Sequence, residues 1–534
     1  MTEQSSPPLW GRDIEVTTAL GYPCRMYTPR PRALAELLLD ARRWQGRAFI
    51  VQGEQRLSFE AFEAAVAGAA RRLREAGLGK GGRVFLHGNN RVGWLLGFWA
   101  AQVLGAATVL GNTFWSDTET AAALDKARPD LVVTDRAPDE ALFQGRRVVG
   151  FDALEAEIGA GDGAGLPIAE VDGEDLAIVM FSSGTMGAAT GVKMTHRGVI
   201  ANIHNVLALT GRLPDELPND PAKGGQGTVS LLASPLFHLA GIQIQINTLL
   251  TGGKLVFLDG RFEPESALRV IERERVRVWG GIPAMVTRVI DAPGFADYDT
   301  SSVASISMGG AAITQELRDK IADAFPATAK RVGSLYGCTE AGGVLAAGSG
   351  RDTDGKPGCV GRALPVVELK IDNPDTDGVG EIVARTPTLI AGFLGDDTPP
   401  SDEGGWVRSG DLGRLDGEGF LYVVGRSKDI IIRGGENIAA GHVEKQLLTH
   451  PVVLEAAVVA IPHDVLGEEV GARLVLAAPD AVSAADLADY LSDRLGRFEI
   501  PTHWRLGTEP LPLNPSGKVD KGRIIAEWDG SADG

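Results

Sequence analysis

Cysteine is scarce: Cys24, Cys338 and Cys359 are the only three in 534 residues. Their wide separation excludes a disulfide framework and the paired spacing of a zinc site, and it fits a reducing compartment. Positive charge is also short, with 52 Lys and Arg against 70 Asp and Glu and a formal net charge of -18. A chain of that sign repels the phosphate backbone of nucleic acid and the anionic face of a membrane, so neither is an expected partner. Long hydrophobic runs are missing too. The longest, residues 94–110, is diluted by glycine, alanine and Gln102. It falls short of the roughly 20 strongly apolar residues that span a bilayer, and it reads as a buried helix. The opening MTEQSSPPLWGRDIEV lacks the basic and then apolar regions of a signal peptide, so a cytoplasmic location is expected. Internal repeats and low-complexity tracts are absent as well.

What is present is an ordinary globular composition, 44% apolar and 23% charged. The length exceeds what one core supports, so two or more domains are expected. Phe59, Phe62, Val66, Ala69, Ala70 and Leu73 recur at helical spacing, with Ser58 as N-cap and Gly77 as stop. Strand-like RVFLHG (83–88) and LVVTD (131–135) flank the 94–110 helix, and a helix striped by Ala267, Val270 and Ile271 precedes strand-like VRVW (276–279). Such alternation favours parallel sheets covered by helices, an α/β class. Near residue 425 the texture becomes short-stranded and charged. This divides the chain into a large domain, 1–427, and a small α+β domain, 428–534. In the latter, Ser483 and Asp486 start a helix with Leu487, Tyr490, Leu491 and Leu495 on its apolar face.

The densest cluster of glycines and hydroxyls is SSGTMGAATG (182–191), directly after the strand-like LAIVMF (176–181). Backbone N–H groups in such a loop, helped by hydroxyls, surround phosphate oxygens. A glycine-rich turn by itself is more often a plain connection. YGCTE (336–340), WVRSGDLG (406–413), GRSKDIIIRGGENI (425–438) and LNPSGK (513–518) follow in order. With these motifs the chain resembles the acyl-CoA synthetases of the adenylate-forming superfamily over nearly its whole length. Those enzymes use ATP to turn a carboxylate into an acyl-adenylate, and then let a thiol displace AMP. The resemblance implies a large N-terminal domain and a small mobile C-terminal lid that rotates between the two steps.

By that resemblance Ser182, Ser183, Gly184, Thr185, Gly187 and Thr190 surround the nucleotide phosphates. Gly309, Gly310 and Ala311 pass close to nucleotide and acyl group, where missing side chains permit approach. Tyr336 and Gly337 face the adenine, Thr339 meets the α-phosphate and Glu340 holds Mg2+. Asp411 accepts from both ribose hydroxyls, and Arg426 lies near ribose and phosphate. His238 and Gly310 line the acyl pocket. Lys518 is the mobile catalytic lysine, Lys428 the hinge, and Gly434, Gly435 and Glu436 the side met by CoA. Each has an ordinary structural alternative: a buried aromatic for Tyr336, a turn aspartate for Asp411, a satisfied core histidine for His238, and solvated charge for Arg426, Lys428 and Lys518.

One motif departs from the pattern. Relatives read Thr-Gly-x-Pro-Lys-Gly where this chain has Met186, Gly187, Ala188, Ala189, Thr190 and Gly191. A hydroxyl, a turn-stiffening proline and the cation beside the β- and γ-phosphates are replaced. If Lys193 lies on the following strand, its odd offset from Thr190 turns it to the opposite face. The expected ligands are therefore CoA as co-substrate and the AMP moiety of an acyl-adenylate, with Mg2+ at Glu340 and the use of ATP in doubt. The leading expectation is a ligase-family enzyme that makes an acyl-CoA thioester from an acyl-adenylate, which a separate adenylating enzyme could supply. A complete two-step ATP-dependent ligase is the alternative, and a non-catalytic adenylate-binding protein the third. More loosely, the chain resembles ligases of actinobacterial secondary metabolism. Its broken loop is similar to that of a platensimycin-type diterpenoid pathway, which implies a bulky polycyclic acid.

Overall fold

The computed structural model describes residues 8–529 apart from 161–162, 164, 183–189, 219–226, 259–261, 310–312, 314, 329–330, 354, 357, 397, 427–428, 434–435, 464–465, 493 and 515–517. At Ser182, Arg426 and Glu436 the backbone alone is described. Ser183, Gly184, Thr185, Gly187, Gly310, Ala311, Lys428, Gly434 and Gly435, named above from sequence, lie outside the described residues.

The chain divides into two compact units. The first comprises Met1–Leu369 with Ala384–Ser409, and the second Lys370–Val383 with Gly410–Gly534. Compactness thus assigns residues 410–427 to the second unit, whereas the sequence texture changes later, near residue 425.

In the first unit the amphipathic helix Phe59–Glu75 forms as its spacing predicts. The Ser58 hydroxyl accepts from the Ala61 N–H at 3.2 Å, and the six apolar residues named above are all buried. Gly77, at φ +97°, ends the helix, a conformation that a side chain would resist. Residues 94–110 differ from their reading as one helix. The helix runs Val92–Val103, and Ala107–Gly111 is a strand. Gly105 sits at φ +68°, and the Ala106 N–H reaches back to the Ala101 carbonyl at 3.0 Å, which closes a helix C-terminus. The β-branched Thr108 and Val109 then favour a strand. The expected strand at 276–279 begins two residues later, as Val278–Gly281, because Arg275 at φ +55° closes the helix Pro264–Glu274 and leaves a short connection.

Two sheets organise this unit. A six-stranded sheet runs in the order Thr190–Thr195, Leu176–Ser182, Ala107–Gly111, Arg83–His87, Leu131–Thr134, Val148–Gly150. It is parallel except for the antiparallel pair of Thr190–Thr195 with Leu176–Ser182. In the second sheet Val332–Cys338, Ser305–Gly309, Val278–Gly281, Val229–Leu232, Lys254–Phe257 and Ala48–Gln52 are successive parallel neighbours. The expectation of parallel sheets therefore holds in their centres, and hairpins supply antiparallel edges. Among the described residues no helix is long and apolar enough to cross a membrane.

Glu274 ties the edge hairpin to this core. Its carboxylate, 3% exposed, accepts from Arg56 at 2.8 Å, Lys254 at 2.8 Å and Arg273 at 3.2 Å. The Arg56 hydrogen bond, aided by Lys254 and opposed by burial, pulls its pKa from 4.5 to about 2. A depressed carboxyl contributes stability that is complete above the unfolded value and lost as pH falls toward the folded one. Glu274→Gln is expected to lower unfolding free energy at pH 7 by about 2 kcal/mol. In urea denaturation the difference from wild type should shrink between about pH 4.5 and pH 2. An unchanged gap at pH 3 would refute the assignment.

The second unit holds the strand Val407–Leu415 from Gly410 onward, paired antiparallel with Phe420–Arg426, and a five-stranded sheet of Glu436–Ala439, Ile430–Arg433, Gly467–Leu476, Val453–His463 and His503–Gly507. Helix Ala484–Ser492 starts as its sequence signature indicates: the Ser483 hydroxyl accepts from the Asp486 N–H at 3.1 Å, and Asp486 accepts in return. Leu487 and Leu491 are fully buried beneath it.

Candidate active site

Parallel strands deliver their following loops to one edge of a sheet, where ligands bind in α/β folds. In the second sheet of the first unit, that carboxyl edge collects His238, Gly309 and Tyr336. Gly309 closes its strand opposite Leu335, the neighbour of Tyr336. A Cβ on Gly309 would stand 3.2 Å from the Leu335 carbonyl, so glycine lets the two strand ends approach. Tyr336 is 8% exposed. At Gly337 a Cβ would lie 2.2 Å from the Gly343 carbonyl, a clash with backbone that excludes every other residue. Thr339 and Glu340, both half-buried, occupy the turn that follows, closed by the Gly342 N–H on the Thr339 carbonyl at 3.0 Å. His238 is the half-buried N-cap residue of helix Leu239–Leu250, with its ring 4.5 Å from Phe237, which in turn meets Phe114 at 5.8 Å. Both phenylalanines went unnoticed in the sequence, because neither belongs to a polar motif.

The phosphate loop connects two described strands. Thr190 pairs with Ser182, Gly191 with Phe181, Val192 with Met180 and Lys193 with Val179, and the register shifts only beyond Met194. Alternation therefore puts Thr190, Val192 and Met194 on one face and Gly191, Lys193 and Thr195 on the other. Val192 and Met194 are buried in the main core. Lys193 is fixed on the opposite face: its N–H donates to the Gly392 carbonyl at 2.9 Å and its carbonyl accepts from Ala391 at 2.7 Å. A Cβ on Gly392 would stand 3.7 Å from the Lys193 ammonium.

A polar cleft of about 640 Å³ opens at the carboxyl edge of the six-stranded sheet, lined in part by His87, Arg91, Trp115, Asp135 and Arg136. It lies where chain order reverses about Arg83–His87, a place where such sheets bind ligands. Arg136 is paired with Asp117 and Glu140, and Arg91 with Asp152 and Glu155. Burial lowers the His87 pKa. The sequence reading missed this cleft, since its residues come from five separate stretches of chain between Gln52 and Glu155.

The second unit carries the remaining residues. Asp411, 6% exposed, lies on Val407–Leu415 and pairs in register with Arg426. Lys518 is exposed in a turn closed on itself, where its N–H donates to the Asn514 side chain at 3.0 Å and its carbonyl accepts from the Asn514 N–H at 2.7 Å. Glu436 opens a strand and stands opposite Arg433 across residues 434–435. Glu340, a hard oxygen donor in a turn beside Thr339, suits a Mg2+ ion that shares substrate phosphates, because that ion needs few protein carboxylates.

A large helix-covered α/β unit followed by a small α/β unit is the adenylate-forming fold. The chain belongs to the AMP-binding enzyme family, whose sequence profile matches residues 39–394, while the profile of the AMP-binding enzyme C-terminal domain matches residues 442–518. A feruloyl-CoA synthase of an Amycolatopsis species is 30% identical over 483 residues, covering 88% of this chain and 94% of that protein. A long-chain-fatty-acid–CoA ligase of Mycobacterium tuberculosis is 30% identical over 468 residues, 84% of this chain and 88% of that one. Among solved structures, o-succinylbenzoate-CoA synthetase of Bacillus subtilis in complex with its acyl-adenylate superposes with a TM-score of 0.79 at 26% identity, over 91% and 97% of the two chains. The same enzyme in complex with ATP and a magnesium ion gives 0.76 at 27% identity, over 90% and 98%. With acyl-CoA ligases as its relatives, the protein is an enzyme of the acid–thiol ligase class, whose members use CoA, ATP and Mg2+.

Proposed function

We propose that this ligase forms an acyl-CoA thioester from an acyl-adenylate and CoA, and that its own adenylation step is weak. The observation that carries this reading is the strand pairing beside the phosphate loop. Thr190 stands where relatives have lysine, and Lys193, the nearest cation downstream, is directed to the other face of the strand. A charge-assisted hydrogen bond contributes roughly 1.5–3 kcal/mol, so a loop without its lysine holds pyrophosphate poorly.

In the proposed thiol step the thiol gives up its proton to solvent and the sulfur attacks the acyl carbonyl carbon. The new C–S bond replaces the C–O bond to AMP, which leaves with the electron pair on its phosphate. Tyr336 offers a face to adenine, Asp411 accepts from the ribose hydroxyls, and Thr339 and Arg426 stabilise the charge gathering on the departing phosphate. His238 lines the acyl side, and Gly434, Gly435 and Glu436 admit the thiol. Lys428 is the proposed hinge between domains 1–427 and 428–534, and Glu340 would hold Mg2+, which neutralises phosphate charge. A partner enzyme that delivers the adenylate, and a cytoplasmic setting, complete this reading. The proposed acyl group is a bulky polycyclic acid, on the resemblance of the broken loop.

The relatives favour a second reading, a complete two-step ligase, because one of them is seen with ATP and magnesium. Supplying synthetic acyl-adenylates and CoA tests the first. Thioester should form, and ATP–pyrophosphate exchange with the matching acid should be at least about tenfold slower than thioester formation. Comparable rates establish the two-step ligase, and no thioester at any concentration refutes both. A thermal-shift series of adenylate mimics with polycyclic, aromatic and long-chain acyl groups identifies the acid, since a ligand of the folded state raises its stability.

A further inference from the structure

Thr339 and Glu340 sit in the turn between the strand Val332–Cys338 and its antiparallel neighbour Gly343–Gly348, a pairing whose register shifts between Tyr336 and Gly337. The bond from the Gly342 N–H to the Thr339 carbonyl closes the turn on itself, so it cannot set the direction in which the turn points. Among the described residues no hydrogen bond or ion pair restrains the Glu340 carboxylate, whose aim therefore follows from its backbone.

Residues 386–389 supply that direction from outside. Thr388, 1% exposed, donates its hydroxyl to the Ala341 carbonyl at 2.5 Å, one residue beyond Glu340. Its single hydroxyl proton is thereby committed, so in the pair of hydroxyls 2.8 Å apart Thr386 donates and Thr388 accepts. The Thr388 N–H donates in turn to the Thr386 hydroxyl at 3.2 Å. The Thr388 carbonyl is met as closely: a Cβ on Gly342 would overlap it and one on Gly198 would stand 3.2 Å away, so two glycines admit the segment. Behind it, the buried Arg197 guanidinium donates to the Pro387 carbonyl, to the Leu389 carbonyl at 3.3 Å and to Glu174 at 2.7 Å. A rigid fork on residues 387 and 389 holds the one between them in place. Asn202 completes the frame, accepting from the Val344 N–H at 2.9 Å where the turn rejoins the sheet.

We infer that Thr388 is a positioning residue for the turn of Thr339 and Glu340, acting through the Ala341 carbonyl and held in place by Arg197. The inference rests on the proposal that these two residues meet the α-phosphate and its Mg2+. No bond to substrate is assigned to Thr388. Its work is to keep one peptide carbonyl, and with it the turn, in a single orientation.

Two measurements on the full-length protein separate this role from general support, and neither needs turnover. Thr388→Val keeps the shape of the side chain and removes its hydroxyl. Hydrogen exchange of amides 342 and 344 should quicken about tenfold, the effect of losing one hydrogen bond, while amides 306–308 of the neighbouring strand keep their protection. Equal exchange in wild type and variant, or loss of protection in both segments alike, overturns the inference. The second measurement compares AMP with adenosine by titration calorimetry. AMP affinity should fall about tenfold and adenosine affinity stay within about twofold, because only the phosphate depends on Thr339. Thr388→Ser, which keeps the hydroxyl, should bind AMP as wild type does. A fall in both affinities or in neither, or a Thr388→Ser as weak as Thr388→Val, overturns the positioning role. Arg197→Lys, which can reach only one of the two carbonyls, should show the same split, and it serves if Thr388→Val does not fold. If wild type binds AMP no more tightly than adenosine, the proposed phosphate contact of Thr339 fails and the role of Thr388 toward it fails too. Hydrogen exchange then still decides whether Thr388 holds the turn.

Discussion

Restoring Ala189→Pro and Thr190→Lys, with Met186→Thr where needed, is expected to raise ATP–pyrophosphate exchange by about ten- to a hundredfold. Thioester formation from supplied acyl-adenylate should change by less than about twofold. The asymmetry follows from timing: pyrophosphate has left before the thiol attacks, so contacts to the β- and γ-phosphates stabilise only the first transition state. Thr190 opens its strand opposite Ser182, so a lysine there starts at the mouth of the loop. Lys193→Ala is the companion variant. Because Lys193 is fixed beside Gly392 on the other face, its loss should leave exchange where it was. Wild-type exchange as fast as that of the repaired enzyme would show that the loop functions without its lysine, and the chain would then be a complete ligase.

The complementary result is expected from Lys518→Ala in the repaired background. Adenylation should fall by about a hundredfold or more, and thioester formation from supplied adenylate should persist. Lys518 is exposed, and its turn is closed by its own backbone through Asn514, so removal of the side chain should spare the fold. In adenylation its charge would stand against the carboxylate oxygen and α-phosphate as negative charge develops, where a preorganised cation contributes most. On the proposed hinge at Lys428 the C-terminal domain would turn between the two steps and take Lys518 out of the reaction before the thiol attacks. If Lys518→Ala abolished both half-reactions equally, Lys518 would be acting in the thiol step as well, and division of labour between domain orientations would be wrong here.

Sequence reading reached furthest where the signal was local. Ser58 and Gly77 bound a helix because a cap and a left-handed stop act within a few residues, and Ser483 with Asp486 announces the helix Ala484–Ser492 for the same reason. It erred at residues 94–110, where apolar character is continuous but Gly105 divides helix from strand. Burial on all sides erases the periodicity that would tell the two apart. At the site, Gly309 and Tyr336 belong to recognisable motifs, and the fold brings their strand ends side by side. Phe114 and the polar cleft had no such marker. Nor, in the core, did Glu274, whose partner Arg56 lies 218 residues away in the chain. Contacts of that range are set by strand order, which no window of sequence contains.

The strand Thr190–Thr195 also limits how a cation could reach the phosphate loop. A slip of one residue would carry Lys193 to the face of Thr190, but alternation would turn Val192 and Met194 in the same movement to the other face, where a Cβ on Gly191 already stands 2.6 Å from the Leu394 side chain. Each is essentially fully buried where it stands, and forcing such a side chain into a packed face costs about 1–3 kcal/mol. Drift along the strand is therefore closed as a route, and a cation on the face of Thr190 has to come by substitution within the loop itself.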